Sequence, residues 1–492
     1  MTRFAVPLLA LLVHSQAPAA PAPEAATPLG HLSGMLKDPE TTNPTLAALR
    51  STEDKDLAPL FEAMTRSGDK KRRLFGVVAL AELVGKGSAA ALLERVGQDP
   101  AMAVRAESLG RLIEMEALTA EQIADAMKIP DENVQCIAAR ALADRGQVAL
   151  AQPRLEELAR SSDQPTAALA QMCLLGMGQR QHEPGLGKVM QDPATPPLLL
   201  GALLRQVERQ KVISALPLAL NVAGQQAQPM TLRVQAYKVA AAISSLGTAT
   251  LQDAIAGSTQ DALRVRLLKV LAARQDAGAY LAKLAAGHDA VAALARFELA
   301  RKAGGAPAAQ TVSAAIALEH PVVVAYVLDC AGEDISQRRE ACDFYVPGLV
   351  TLIESVNPRP REMAKEHFLA AGAASRLVEL GTPAALSALK ELLAGKVTAV
   401  TRSVAAGLLR AKDPAACTLV APLLSSPYDE LSADAALVLG HFGNSTAKGR
   451  LTEILLNRRR HPPALAVLAS WYLVKIDGQS KAVASQLAKL ID

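Results

Sequence analysis

A unit of about 31 residues recurs along nearly the whole chain, and it constrains the fold more than any other feature. Each copy opens with a short polar turn, often Asp-Pro or Asn-containing. A small residue or Val follows, often with Arg behind it, and then an Ala/Leu-rich amphipathic stretch. Clear copies lie at Gln98-Asp99-Pro100 with Val104-Arg105, at Pro130-Asp131-Glu132-Asn133 with Val134, and at Pro229 with Leu232-Arg233. Others lie at Asp261 with Val265-Arg266, His288-Asp289 with Val291, His320-Pro321 with Val323, and Val400-Thr401-Arg402. The last two are Asp429-Glu430 with Leu431 and His461-Pro462-Pro463 with Leu465. Self-similarity at this period marks stacked helical hairpins, none of which can bury its own apolar face alone.

The 492 residues would strain a single compact core, which stops growing at about 250–300 residues. A repeat array escapes that limit because each unit touches only its neighbours. Half of the chain is hydrophobic but only 3% is aromatic, so the apolar mass is Ala, Leu and Val. Ala and Leu are the best helix formers. The reading is all-α, with about 12–14 hairpins spanning residues 31–492. Leu57, Leu60, Phe61 and Met64 fall on one helical stripe, and Gly85 ends a later helix as its cap.

Residues 1–19 carry the marks of an export signal: Arg3, the apolar stretch Phe4 to Val13, and Ala17-Pro18-Ala19 as a small-x-small cleavage site. Cleavage after Ala19 would place the mature protein in the periplasm or outside the cell. Residues 20–30, with Pro21, Pro23 and Pro28, are expected to be a solvated linker. The signal's apolar stretch is shorter than the roughly 20 residues a spanning helix needs, and no later segment is expected to span a bilayer.

The joint pattern resembles that of HEAT repeats, in particular the bacterial subtype similar to phycobilin-lyase repeats. Residues 99–110 and 131–142 are the best copies. The resemblance covers residues 50–480 and implies a right-handed α-α superhelix. It also implies inter-repeat contacts for the joint arginines, carried over to Arg105, Arg233, Arg266 and Arg402. On function it is nearly silent.

Chemistry is sparse. Only His182-Glu183 has the His-Glu order that di-iron HEAT enzymes repeat, and no nucleophile elbow, zincin or phosphate-loop motif occurs. No cofactor or metal is expected. The five cysteines are scattered; Cys330 and Cys342 could close a loop or pack as thiols. A net charge of +4, from 52 basic against 48 acidic residues, argues against nucleic acid. The basic runs Lys70–Arg73 and Arg458–Arg460 are expected at solvated joints, or to draw an acidic partner.

Between Val323 and Met363 the period stretches to about 40 residues. The segments Gly332 to Glu340 and Asn357 to Arg361 read as inserted loops, with Tyr326, Phe344, Tyr345 and Phe368 nearby. Aromatic and Arg side chains dominate interface hot spots. Arg338, Arg339, Phe344 and Tyr345 are therefore the expected partner-binding residues; the rival view has Phe344 and Tyr345 filling a helix core. The expected function is an exported, non-enzymatic scaffold that binds a protein partner. An accessory lyase- or hydroxylase-like enzyme of the same repeat type, or a structural spacer, are the alternatives.

Overall fold

A computed structural model describes residues 27–355, 363–394, 404, 407–408, 415–427 and 429–491. The expected signal and most of the linker, Asn357 to Arg361, the Phe368 side chain and Arg402 lie outside the described residues. The described elements are helices, short 3-10 turns and loops. They alternate as hairpins: Ala89–Gln98 with Met102–Glu114, Ala120–Ala126 with Glu132–Asp144, Val148–Leu158 with Gln164–Gly176, and so on. The fold is an α-solenoid of stacked helical hairpins.

Local chemistry explains where helices start and stop. Asp69, Asp131, Asp163 and Asp289 each accept a backbone N–H of the first helical turn, which satisfies donors the helix cannot pair itself. Gly85 ends Lys70–Val84 at φ +60°, with its N–H on the Ala81 carbonyl. Leu57, Leu60, Phe61 and Met64 are all buried, as their spacing requires. The linker is shorter than expected, because Pro28 is the first residue of the helix Pro28–Lys37, capped by Thr27. Proline fits there, since its missing N–H would have gone unpaired.

The chain forms two compact units, one of Met64–Leu281 and one of Met1–Ala63 with Ala282–Asp492. In the first, buried Val, Leu and Ala side chains form two successive clusters, one within residues 77–174 and one within 168–243. Residues 70–98 pass the length and composition test for a membrane span, contrary to the sequence expectation. Here they are two helices joined by the 3-10 turn Gly85–Ser88, with Val77, Leu92 and Val96 inside the core.

The second unit joins the first and last described helices. Pro28–Lys37 and Pro39–Ser51 pack against Pro463–Ile476. Trp471 is fully buried and donates its indole N–H to Asp54 Oδ2 at 3.1 Å. Lys475 Nζ lies 3.2 Å from the same oxygen, and Ser480 hydrogen-bonds Asp56. The helix Pro28–Lys37 thereby covers apolar surface that a terminal repeat would otherwise expose.

Candidate functional site

The joint arginines tie successive hairpins together. In the unit Met64–Leu281, Arg73 Nε and Nη2 reach Asp99 at 2.8 and 3.1 Å, and Arg105 Nε and Nη2 reach Asp131 Oδ2 at 3.0 and 2.9 Å. Each aspartate also caps its own helix or turn, Asp99 through the Ala101 N–H and Asp131 through Asn133 and Val134. One carboxylate thus ties two hairpins together. Each arginine also donates to a carbonyl six residues earlier, Arg73 to Ser67 and Arg105 to Asp99. Gln135 does the same toward Ile129.

Arg105 bridges two repeats through Asp131, whereas Arg233 Nε donates to Ala223 O at 3.1 Å within its own hairpin and does not make the inter-repeat contact expected of it. Arg266 is not a joint residue. It is exposed, and Arg264 takes the place, with Nε on Ile255 O at 3.1 Å. Arg73, Arg105, Arg233 and Arg264 are each the fourth residue of their helix. Arg266 follows Val265 as Arg105 follows Val104, but sits two residues too late. Arg105→Ala is expected to lose about 1–3 kcal/mol in urea unfolding, whereas Arg266→Ala should stay within about 0.5 kcal/mol.

The expected partner site at residues 338–345 is only partly surface: Arg338 is half-buried and Arg339 is exposed. Tyr345 is fully buried and Phe344 is 8% exposed. Gly332 to Arg338 form no loop; they continue the helix Pro321–Arg338. Tyr345 donates its hydroxyl to Asp334 Oδ2 at 2.7 Å, and Tyr326 donates to Glu298 Oε1 at 2.7 Å. Phe297 meets both tyrosine rings edge-on at 6.3 Å. Arg301 Nε sits 3.4 Å from Glu298 and 3.7 Å from Asp334. Burial, followed by the adjacent carboxylates, pushes both tyrosine hydroxyls well above their usual range, so they remain donors. Arg338 donates to the Arg301 carbonyl at 2.8 Å, and Arg339 caps Met363–Leu380 through the Leu380 carbonyl at 2.6 Å. This is a buried polar network that aligns hairpins. Cys330 and Cys342 are both buried free thiols. Among the described residues, no group of three or more His, Cys, Asp or Glu is arranged to hold a metal.

A polar surface does form on the second helices of the other unit. Gln206, fully buried, accepts from Arg140 Nη2 at 2.9 Å and donates to Asp144 Oδ1 at 3.0 Å. Arg209 Nη1 lies 3.4 Å from Asp144 Oδ2. These contacts link Glu132–Asp144 with Pro197–Gln210, two hairpins apart, so the second helices converge there. Arg205, one turn before Arg209, is exposed, and no ion pair or hydrogen bond holds it among the described residues. Its guanidinium lies over Gly201, where a Cβ would sit 3.6 Å from Nη1. Burial, then the nearby Arg140 and Arg209, lower its pKa, opposed by Glu114. The arginines are spread over two repeats, and only the convergence of helices gathers them.

A cavity of about 320 Å³ opens between the next hairpins, lined by Gly224, Arg233, Tyr237, Ser258, Gln260 and Leu263 among others. Its lining holds no carboxylate, imidazole or thiol.

No family model matches the chain, and no curated protein matches it. Solved structures similar to it include the karyopherin Kap121p bound to the SUMO protease Ulp1p, at 13% identity and a TM-score of 0.31. That match covers 96% of this chain and 56% of the karyopherin, so the chain spans about half of its length. Kap121p bound to RanGTP is similar at 13% identity and a TM-score of 0.32, over 94% of this chain and 55% of that one. Human deoxyhypusine hydroxylase matches at 13% identity and a TM-score of 0.24, over 68% of this chain and 99% of the enzyme.

Proposed function

We propose that this chain is an exported, non-enzymatic scaffold, periplasmic or secreted, that holds a protein partner along its second helices. The observation that carries the reading is the convergence at Gln206, where side chains two hairpins apart join in one polar surface. A surface assembled from several repeats suits an extended partner, which gathers many modest contacts in place of one deep pocket. The joint arginines and the Glu298–Asp334 network are spent on stacking, which leaves this face for binding. Export rests on the features of residues 1–19.

The test is crosslinking and capture of the mature protein from its host, with N-terminal sequencing of what is recovered. The expected terminus is Ala20, and a specific protein should be retained through crosslinks on the second helices. An intact Met1 or Thr2 terminus in the soluble cytosol overturns export. Crosslinks confined to the first helices overturn the assignment of the face.

A further inference from the structure

The patch on the second helices of Met64–Leu281 is unbalanced in charge. Arg140, Arg205 and Arg209 gather there against two nearby carboxylates, Asp144 and, on the Arg205 side, Glu114, which Arg111 already shares. Asp144 is shared between Gln206, Gln210 and Arg209. Arg140 spends its contact on a neutral amide, and Arg205 has no ion pair or hydrogen bond among the described residues. A guanidinium held among like charges gains from an anion that arrives in the same place, especially one that can accept two parallel N–H groups.

The flanks are neutralised. Toward lower numbers, Arg111 pairs with Glu107 at 2.8 Å and Glu114 at 3.6 Å. Toward higher numbers, Lys238 pairs with Glu208 at 3.0 Å. The excess positive charge is therefore local. A duplex nucleic acid presents one charge per roughly 1.7 Å of axis and needs a long basic track. A short acidic segment needs only this one island. Polar side chains around it, Gln210 and Gln235, can meet a peptide backbone, and buried Gln206 fixes the floor on which Arg140 rests.

We propose that the Arg140–Arg205–Arg209 patch receives an acidic, Asp/Glu-containing peptide segment of the partner, with Arg205 as its principal carboxylate contact. This rests on the scaffold reading above and names the chemistry of what is bound.

The probe is a short fluorescein-labelled peptide of alternating Glu and Gly, titrated with the full mature chain and followed by anisotropy. Binding is expected to weaken steeply as salt is added, since exposed charge attraction is screened. Arg205→Glu should lower the affinity by about tenfold and leave the melting temperature in place, because Arg205 ties no element to another. Arg205→Lys should keep most of the binding. A Lys-Gly peptide of the same length should bind the Arg205→Glu variant better than the wild type. Unchanged affinity in Arg205→Glu overturns the site. Equal or tighter binding of a single-stranded oligonucleotide of matched charge overturns the peptide assignment. If the wild type ignores the acidic peptide yet captures a host protein, this inference fails while the scaffold reading stands.

Discussion

Asp99→Ala is expected to cost about 3–5 kcal/mol of stability, among the largest effects of any single change in the chain. Asp99 is fully buried and Arg73 is 7% exposed. The carboxylate accepts both the Nε and Nη2 protons of Arg73 and the N–H of Ala101. Removing it strands a buried guanidinium, which keeps only the Ser67 and Gly68 carbonyls as partners. It also removes a turn cap, itself worth about 1 kcal/mol. Asp99→Asn keeps an acceptor for the Ala101 N–H but loses the charge, so it should fall between wild type and Asp99→Ala. Replacing the pair together, Arg73→Met with Asp99→Leu, should cost much less than the single change, because no buried charge is left alone. Urea midpoints at constant m-value measure all three. A loss below about 1 kcal/mol for Asp99→Ala would mean that water screens the pair as it does on a surface.

The hairpin repeat was legible because turn chemistry and apolar periodicity are local. The Asp-Pro and Pro-Asp joints and the Leu57–Met64 stripe needed no knowledge of distant contacts. The joint arginines were legible by type and less so by register. Val265-Arg266 imitates Val104-Arg105, but helix starts set the register, and Asp261 opens its helix two residues earlier than the imitation requires. Arg73 hid inside a basic run, where composition suggests solvent and the fold supplies Asp99.

The stretch at residues 332–345 was misread for a related reason. Its charges look like a loop, yet Glu, Asp, Ile, Ser, Gln and Arg are all compatible with a helix. One extra pair of turns in Pro321–Arg338 carries Asp334 and Arg338 to where Tyr345 and Arg301 can meet them. Buried polar partners of this kind come from separate helices, and spacing along one helix does not announce them. The contacts that assemble the second-helix patch were illegible for the same reason: Arg140 and Gln206 are 66 residues apart in sequence and 2.9 Å apart in space.

Acid is expected to loosen the packing of Pro28–Lys37 on the last repeats, through His31. This histidine is 6% exposed and its Nε2 has no hydrogen-bond partner among the described residues. Burial, and then the positive charge of Arg458, lower its pKa to about 4 from an ordinary 6.5. Above pH 6.5 the ring is neutral whether the helix is docked or released, and the contact has its full strength. Between pH 6.5 and 4 the released form takes up a proton that the docked form refuses, so stability falls with falling pH. Below pH 4 both forms are protonated and the loss from this group levels off. The shift of about 2.5 pH units corresponds to about 3 kcal/mol. Hydrogen exchange in residues 28–51 should therefore accelerate steeply between pH 6.5 and 4, after correction for the intrinsic pH dependence of exchange. His31→Leu, which fills the site with a side chain that cannot ionise, should flatten that dependence while exchange in 132–144 stays as in the wild type. Equal pH dependence in the variant and the wild type would show that acid acts on this contact through some other group.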